Sequence, residues 1–238
     1  TFSDDGMEMH IQPDLDIDLP LVDLTSLAAE DQASTLAGIL RQEVETPFDM
    51  VLGPFVRAHL VAFGADHHHL IITAHHIVCD GWSIDVIMRD IGAVYSALLA
   101  GQPPTLPPAQ SIIDYARAEA EWSRSEDATA ARTYWLDQFA GDLPVLDLPT
   151  DHPRPPIRTV AAQRFDAVFS QDLVGRLRKT ATAQGSTLVT LLLAGFKLYL
   201  ARITGSNTVV VGVPAAGQAA RGMPQLVGHC VNLMPLRS

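Results

Sequence analysis

The chain has 238 residues, is 47% hydrophobic and 18% charged, and carries a formal net charge of −11. That composition excludes a disordered chain and supplies enough apolar side chains for one large or two small cores. The acidic balance disfavours a nucleic acid or an anionic membrane as partner, because no basic stripe is present to neutralise phosphates.

Two cysteines, Cys79 and Cys230, cannot build a disulfide framework and read as reduced thiols of a cytoplasmic protein. The apolar run around Leu188 to Leu193 is interrupted by Thr190 and Gly195 and followed by Lys197, so no membrane-spanning helix is expected. No signal peptide is visible. The first residue is Thr1, and the chain is expected to be an internal fragment.

In chain order, Met7 to Gln12 alternates and predicts a strand. Leu27 to Glu45, rich in Ala, Leu, Gln and Glu, predicts a helix. Phe55 to Phe63 and His68 to His75 predict two strands joined by a turn at Gly64-Ala65-Asp66, as a hairpin or a crossover. Ile84, Ile87, Met88, Ile91, Val94, Tyr95 and Leu98 then fall at helical spacing, with Ser83 as N-cap and Asp85 in the first turn. Gly101, Pro103 and Pro104 stop that helix.

Two further helices are predicted at Ile112 to Ser123 and Ala128 to Phe139. Gly141 to Arg158 holds five prolines and no period, which marks a linker. A strand (Ala161 to Phe169), two helices (Gln171 to Gln184 and Thr187 to Ile203) and two strands (Thr208 to Val213 and Val231 to Leu236) follow. No short repeat is present, although both halves mix strands and helices.

The chemistry concentrates at His75-His76-Ile77-Val78-Cys79-Asp80-Gly81-Trp82-Ser83, on a strand-to-helix connection. A base, a carboxylate able to orient it or to pair with an arginine, and a glycine able to take unusual backbone angles stand within nine residues. The positive end of the following helix disfavours a protonated imidazole and keeps His76 neutral. The bland alternative is a structural histidine at a strand end. Cys79 reads as a small packed residue, having no cationic neighbour in sequence to activate it.

His67, His68 and His69 read as a solvated turn. Metal binding is the natural rival, since five histidines lie between His67 and His76. Adjacent histidines on a strand point to opposite faces, however, and no His-Glu-x-x-His or paired Cys-x-x-Cys pattern occurs. No metal is expected.

The motif resembles the HHxxxDG motif of the condensation domains of nonribosomal peptide synthetases. Other pieces resemble family segments in family order: Thr46-Pro47-Phe48-Asp49 with Gly53-Pro54 and Arg57, then Asp114-Tyr115-Ala116 ending at Trp122, then Tyr134-Trp135. Pro149-Thr150-Asp151 with Arg154-Pro155, and Val227-Gly228-His229-Cys230-Val231-Asn232, complete the set.

The resemblance implies an α/β, two-lobed chloramphenicol acetyltransferase-like sandwich, incomplete at both ends. Residues 1–141 would be the latter part of the N-terminal lobe, 142–158 the inter-lobe linker, and 159–238 the first part of the C-terminal lobe. It implies amide formation between a carrier-bound acyl or peptidyl thioester and the amine of a carrier-bound aminoacyl group. The substrates would arrive on phosphopantetheine arms, with no cofactor bound by the domain itself. Upstream and downstream carrier domains and an adenylation domain are the implied partners.

In that scheme His76 is the base or positions the amine, His75 turns inward, and Asp80 forms a structural salt bridge. Gly81 completes the catalytic motif, while Trp82, Ser83 and Asn232 line the substrate tunnel. Two departures stand out. Gln218 follows Gly217 where many members carry arginine, which puts the partner of Asp80 in doubt. Gly228-His229-Cys230 stands where many carry aromatic residues. An epimerisation domain, an acyltransferase using a free or CoA-bound donor, and a non-catalytic carrier-docking module remain open. The chain and its expected carriers are both acidic, so docking should rest on local arginines or apolar patches.

Overall fold

A computed structural model describes every residue except 13, 14, 158, 160 and 161. The chain divides into two compact units, residues 1–119 with 216–231, and residues 120–215 with 232–238.

The first unit is built on a three-stranded sheet in the order β1 (Leu21–Asp23), β2 (Val56–Gly64), β3 (His67–Ala74). β2 carries Val56, Val61 and Phe63, residue types that suit a pleated, half-buried surface. β1 pairs with β2 in parallel, with Val22 opposite Val61. β2 and β3 form an antiparallel hairpin, with Leu60 opposite Leu70, which decides the question of hairpin or crossover. Val61, Ala62, Phe55 and Leu24 are buried in this unit.

α1 (Ala29–Glu45) is tied to the sheet by Glu43, whose carboxylate accepts from Arg57 Nε (3.1 Å) and lies 2.9 Å from His59 Nε2. α2 (Gly81–Leu99) follows the hairpin, and α3 (Ile112–Trp122) begins in the same unit. The four-residue helix α7 (Gly217–Ala220) also belongs to it. Tyr115 of α3 packs with Leu226 and Cys230, flanked by Ile112 and Met223.

The second unit holds α4 (Glu126–Gln138), α5 (Gln171–Ala183) and α6 (Leu188–Thr204), with most of the two-stranded sheet β4 (Val210–Ala216) and β5 (Val231–Arg237). Its helices start on hydroxyl caps. Ser125, Ser170 and Thr187 accept from the backbone N–H groups of Ala128, Leu173 and Thr190, which removes one orphan donor per helix. α6 ends at Gly205, whose φ of +68° is the left-handed conformation that glycine adopts without strain. Tyr134 and Trp135 meet edge to face, and Trp135 stacks on Phe139. No single helix among the described residues is long and apolar enough to cross a membrane.

Several expectations are corrected. Met7 to Gln12 is not a strand. Only a bridge between Phe2 and Met9 forms there, because the segment folds back through a turn in which Ser3 and Glu8 bond to each other. Ala161 lies outside the described residues, and residues 162–169 form no strand, with Phe165 91% exposed. Alternation there has no sheet edge to join. His67 to His69 open β3 instead of forming a turn, and Phe63 packs against the rings of His67 and His69. β1 and α7 are too short to show a period.

Candidate active site

The connection from β3 to α2 is wound around His75. Its N–H donates to Phe55 O (2.9 Å), its carbonyl accepts from Val78 N (3.0 Å), and its Nδ1 accepts from Ile77 N (3.1 Å). The ring is edge-on to Phe48 at 5.6 Å and tilted against Phe55. Arg57 in turn sits 4.0 Å over the Phe48 ring while its guanidinium reaches the carbonyls of Glu43 and Thr46. The Thr46-to-Arg57 segment is thus the packing that seats the first histidine. Burial opposes the ionisation of Glu43, but hydrogen bonds from Thr73, Arg57 and His59 outweigh it and hold its carboxyl below the usual range.

His76 is exposed, and its ring meets His229 edge to face at 5.0 Å, with the two Nδ1 atoms 3.2 Å apart. A mainly apolar hollow of about 490 Å³ lies against His76, lined by Leu40, Glu43 and Val44 of α1, Ile71 and Thr73 of β3 and Ile84 of α2.

Asp80 caps α2, one turn before the expected cap. Its Oδ1 accepts from Ser83 N (2.9 Å) and lies 2.8 Å from Ser83 Oγ. Its Oδ2 accepts from Gln218 Nε2 (2.8 Å) and Cys230 N (3.0 Å). Asp80 is 2% exposed, and all four of these donors are uncharged. The expected salt bridge is therefore replaced by a neutral cage, with the Gln218 amide in the position where the resemblance led to the expectation of an arginine. Burial opposes ionisation, but the bonds from Gln218, Cys230 and Ser83 prevail and hold the carboxyl below its ordinary value.

Ser83 is 0% exposed. Its hydroxyl also lies 2.9 Å from Gly228 O and accepts from Gly228 N (3.0 Å). It is a structural knot between the motif and Gly228. Gly81 is the first residue of α2 and has no positive φ, so the expectation of unusual backbone angles is corrected. A Cβ there would meet nothing within 4 Å. Trp82 donates its indole N–H to Pro224 O (3.1 Å), and Arg89 reaches Gln225 Oε1 (2.6 Å). Both tie α2 to the segment after α7. Asn232 is exposed on β5, in the second unit.

The cysteines are held as thiols. Burial first, and the negative charge of Asp80 second, push Cys79 upward, and the same causes with Glu119 push Cys230 to about 11. Burial and the nearby Glu119 raise Tyr115 to about 12. Gly217 is required by close approach, because a Cβ there would lie 2.6 Å from Cys230 O and collide with the Tyr115 hydroxyl. Among the described residues no group of three or more His, Cys, Asp or Glu is placed to hold a metal.

Sequence reasoning singled out Gln218 and His229 only as departures from a pattern. The structure brings both to the motif. The Ser83–Gly228 knot carried no signal, since a serine and a glycine 145 residues apart show no period.

The model of the condensation domain family matches residues 4–238, and the chain belongs to that family. It is 34% identical over 241 residues to one of the proteins that make up the linear gramicidin synthase of Brevibacillus parabrevis, covering 100% of this chain and 3% of that protein. It is 31% identical over 236 residues to bacitracin synthase 1 of Bacillus licheniformis, covering 98% and 4%. The chain therefore spans a small part of these curated relatives.

A solved structure of the first condensation domain of the calcium-dependent antibiotic synthetase with a substrate analogue aligns with TM-score 0.76 and 24% identity, over 94% of this chain and 50% of that one. The epimerization domain from the third module of tyrocidine synthetase B aligns with TM-score 0.75 and 24% identity, over 94% and 52%. These matches establish the α/β fold of condensation domains, similar to chloramphenicol acetyltransferase. The chain is homologous to the condensation domains of peptide synthetases, which are acyltransferase-type, amide-forming enzymes.

Proposed function

We propose that the protein carrying this chain joins a carrier-bound acyl or peptidyl thioester to the amine of a carrier-bound aminoacyl group, with His76 as the base. The amine nitrogen attacks the thioester carbonyl, the C–N bond forms and the C–S bond breaks. His76 takes the proton lost by the amine and passes it to the departing phosphopantetheine thiolate. The observation that supports this reading is an exposed imidazole on a loop whose end is pinned by a buried, four-fold hydrogen-bonded carboxylate.

The thioester is already activated, so the protein's main task is alignment, which supplies up to about 7–11 kcal/mol. A positioned base adds about 10²–10⁴-fold. Asp80 holds the loop and Gly81 leaves the wall beside His76 open. Trp82 braces α2, and Asn232 is assigned to substrate contact from its place in the family segment.

Carrier domains on either side and an adjacent adenylation domain are the partners in this reading, and the substrates bring their own phosphopantetheine. The division into lobes at residues 142–158 rests on its prolines and on the lack of helix or strand among its described residues, although that segment falls within the second compact unit. The two buried free thiols fit a cytoplasmic setting.

Epimerisation is the rival that the match to the tyrocidine epimerization domain raises. The test is product identity, with a donor and an acceptor each loaded on carrier protein. A new amide supports the proposal. Inversion at the donor α-carbon without amide formation sinks it in favour of epimerisation.

A further inference from the structure

We propose that His229 is a positioning residue for His76, accepting the Nδ1–H of His76 and so holding it in the tautomer whose Nε2 lone pair is free. The inference rests on the reading of His76 as the base.

Two neutral imidazoles each carry one N–H, so a contact of 3.2 Å between two Nδ1 atoms requires one ring to donate and the other to accept. The ring that donates through Nδ1 has a bare Nε2. A base acting at Nε2 must therefore be the donor, and His229 the acceptor with its own proton on Nε2. The reverse assignment would place a proton on Nε2 of His76 and block it. The partner of a ring's second nitrogen commonly sets which nitrogen carries the proton.

His229 is not a loose side chain that happens to lie near. The residues on both sides of it are clamped to the motif. Gly228 N donates to Ser83 Oγ (3.0 Å), and Cys230 N donates to Asp80 Oδ2 (3.0 Å). The same Asp80 ends the loop that carries His76 and caps α2 through Ser83. One buried carboxylate therefore sets the register of both imidazoles. His75 does not compete for the role, because its Nδ1 is taken by Ile77 N.

Three variants in the synthetase carrying this chain separate the possibilities, with kcat and KM measured for the carrier-bound acceptor. His229→Asn keeps an acceptor where Nδ1 sits but removes the ring. His229→Phe keeps the ring and its edge contact but removes the acceptor. His76→Ala tests the base. The expected pattern is His229→Asn within about threefold of the parent kcat and His229→Phe lower by about tenfold at unchanged KM, the size of one lost hydrogen bond. His229→Phe equal to or better than His229→Asn overturns the inference. Should His76→Ala keep the parent kcat, the base reading itself falls, whatever the two variants at position 229 do.

Discussion

Removing the Asp80 carboxylate should cost the fold more than it costs any single contact. In Asp80→Ala the Ser83 hydroxyl retains Gly228 O and the Gln218 amide retains Gly228 O at 3.3 Å. Two donors lose their partners: Ser83 N at the start of α2 and Cys230 N. Each buried orphan costs about 1–3 kcal/mol, so the loss sums to about 2–6 kcal/mol. A domain of ordinary stability has only about 5–15 kcal/mol to lose.

Asp80→Asn should be milder. Its oxygen can stay on Gln218 Nε2 and Cys230 N while its NH2 turns to the Ser83 hydroxyl, which accepts from it and donates to Gly228 O. Only Ser83 N is then orphaned, at about 1–3 kcal/mol. Urea unfolding of the domain that carries this chain checks the order parent, Asn, Ala. An alanine variant within about 0.5 kcal/mol of the parent would refute the cage, since changes of that size are ordinary at the surface.

Acid should expose the same group. The folded-state pKa of Asp80 lies below its unfolded value, so its contribution is present above about pH 4 and is lost as pH falls through the folded pKa. Urea midpoints taken from pH 6 downward should fall less steeply in Asp80→Asn than in the parent, and parallel slopes would contradict this. Gln218→Glu sets a second carboxylate against Asp80 in a site with 0% exposure and should cost about 3–5 kcal/mol at neutral pH; thermal melting reads it. Glu43→Gln removes the charge that Arg57 and His59 share, while Arg57 keeps the carbonyls of Glu43 and Thr46. A loss of about 1–3 kcal/mol in chemical denaturation is expected.

Elements with a long period were legible in the sequence. α2 falls where its helical spacing puts it, α1 where its helix-forming composition does, and α5 and α6 coincide with two predicted helices, while β2 and β3 occupy the two predicted strands whose hairpin pairing the structure decides. What failed was alternation without a partner. Met7 to Gln12 alternates as well as β2 does, but a strand exists only where another edge pairs with it. The capping error has a similar cause. Both Asp80 and Ser83 are good cap residues, and the choice fell to Asp80 because the Ser83 hydroxyl is engaged by Gly228.

The histidine pair, Asp80 and the family segments were visible by residue type and order. Which groups would satisfy the Asp80 carboxylate was not, because its cage comes from positions 83, 218 and 230, and half of it is backbone. Backbone donors have no signature in a sequence. Ser83 illustrates the converse: its residue type and motif position were visible, and only burial shows that the hydroxyl faces inward.

The most direct test of the central claim is single-turnover amide formation by the synthetase carrying this chain, with donor and acceptor carriers preloaded and His76 intact or changed to alanine. A fall of about 10²–10⁴-fold in His76→Ala, with an unchanged melting temperature, is the predicted result. Amide formation at the parent rate by a well-folded His76→Ala protein would contradict it.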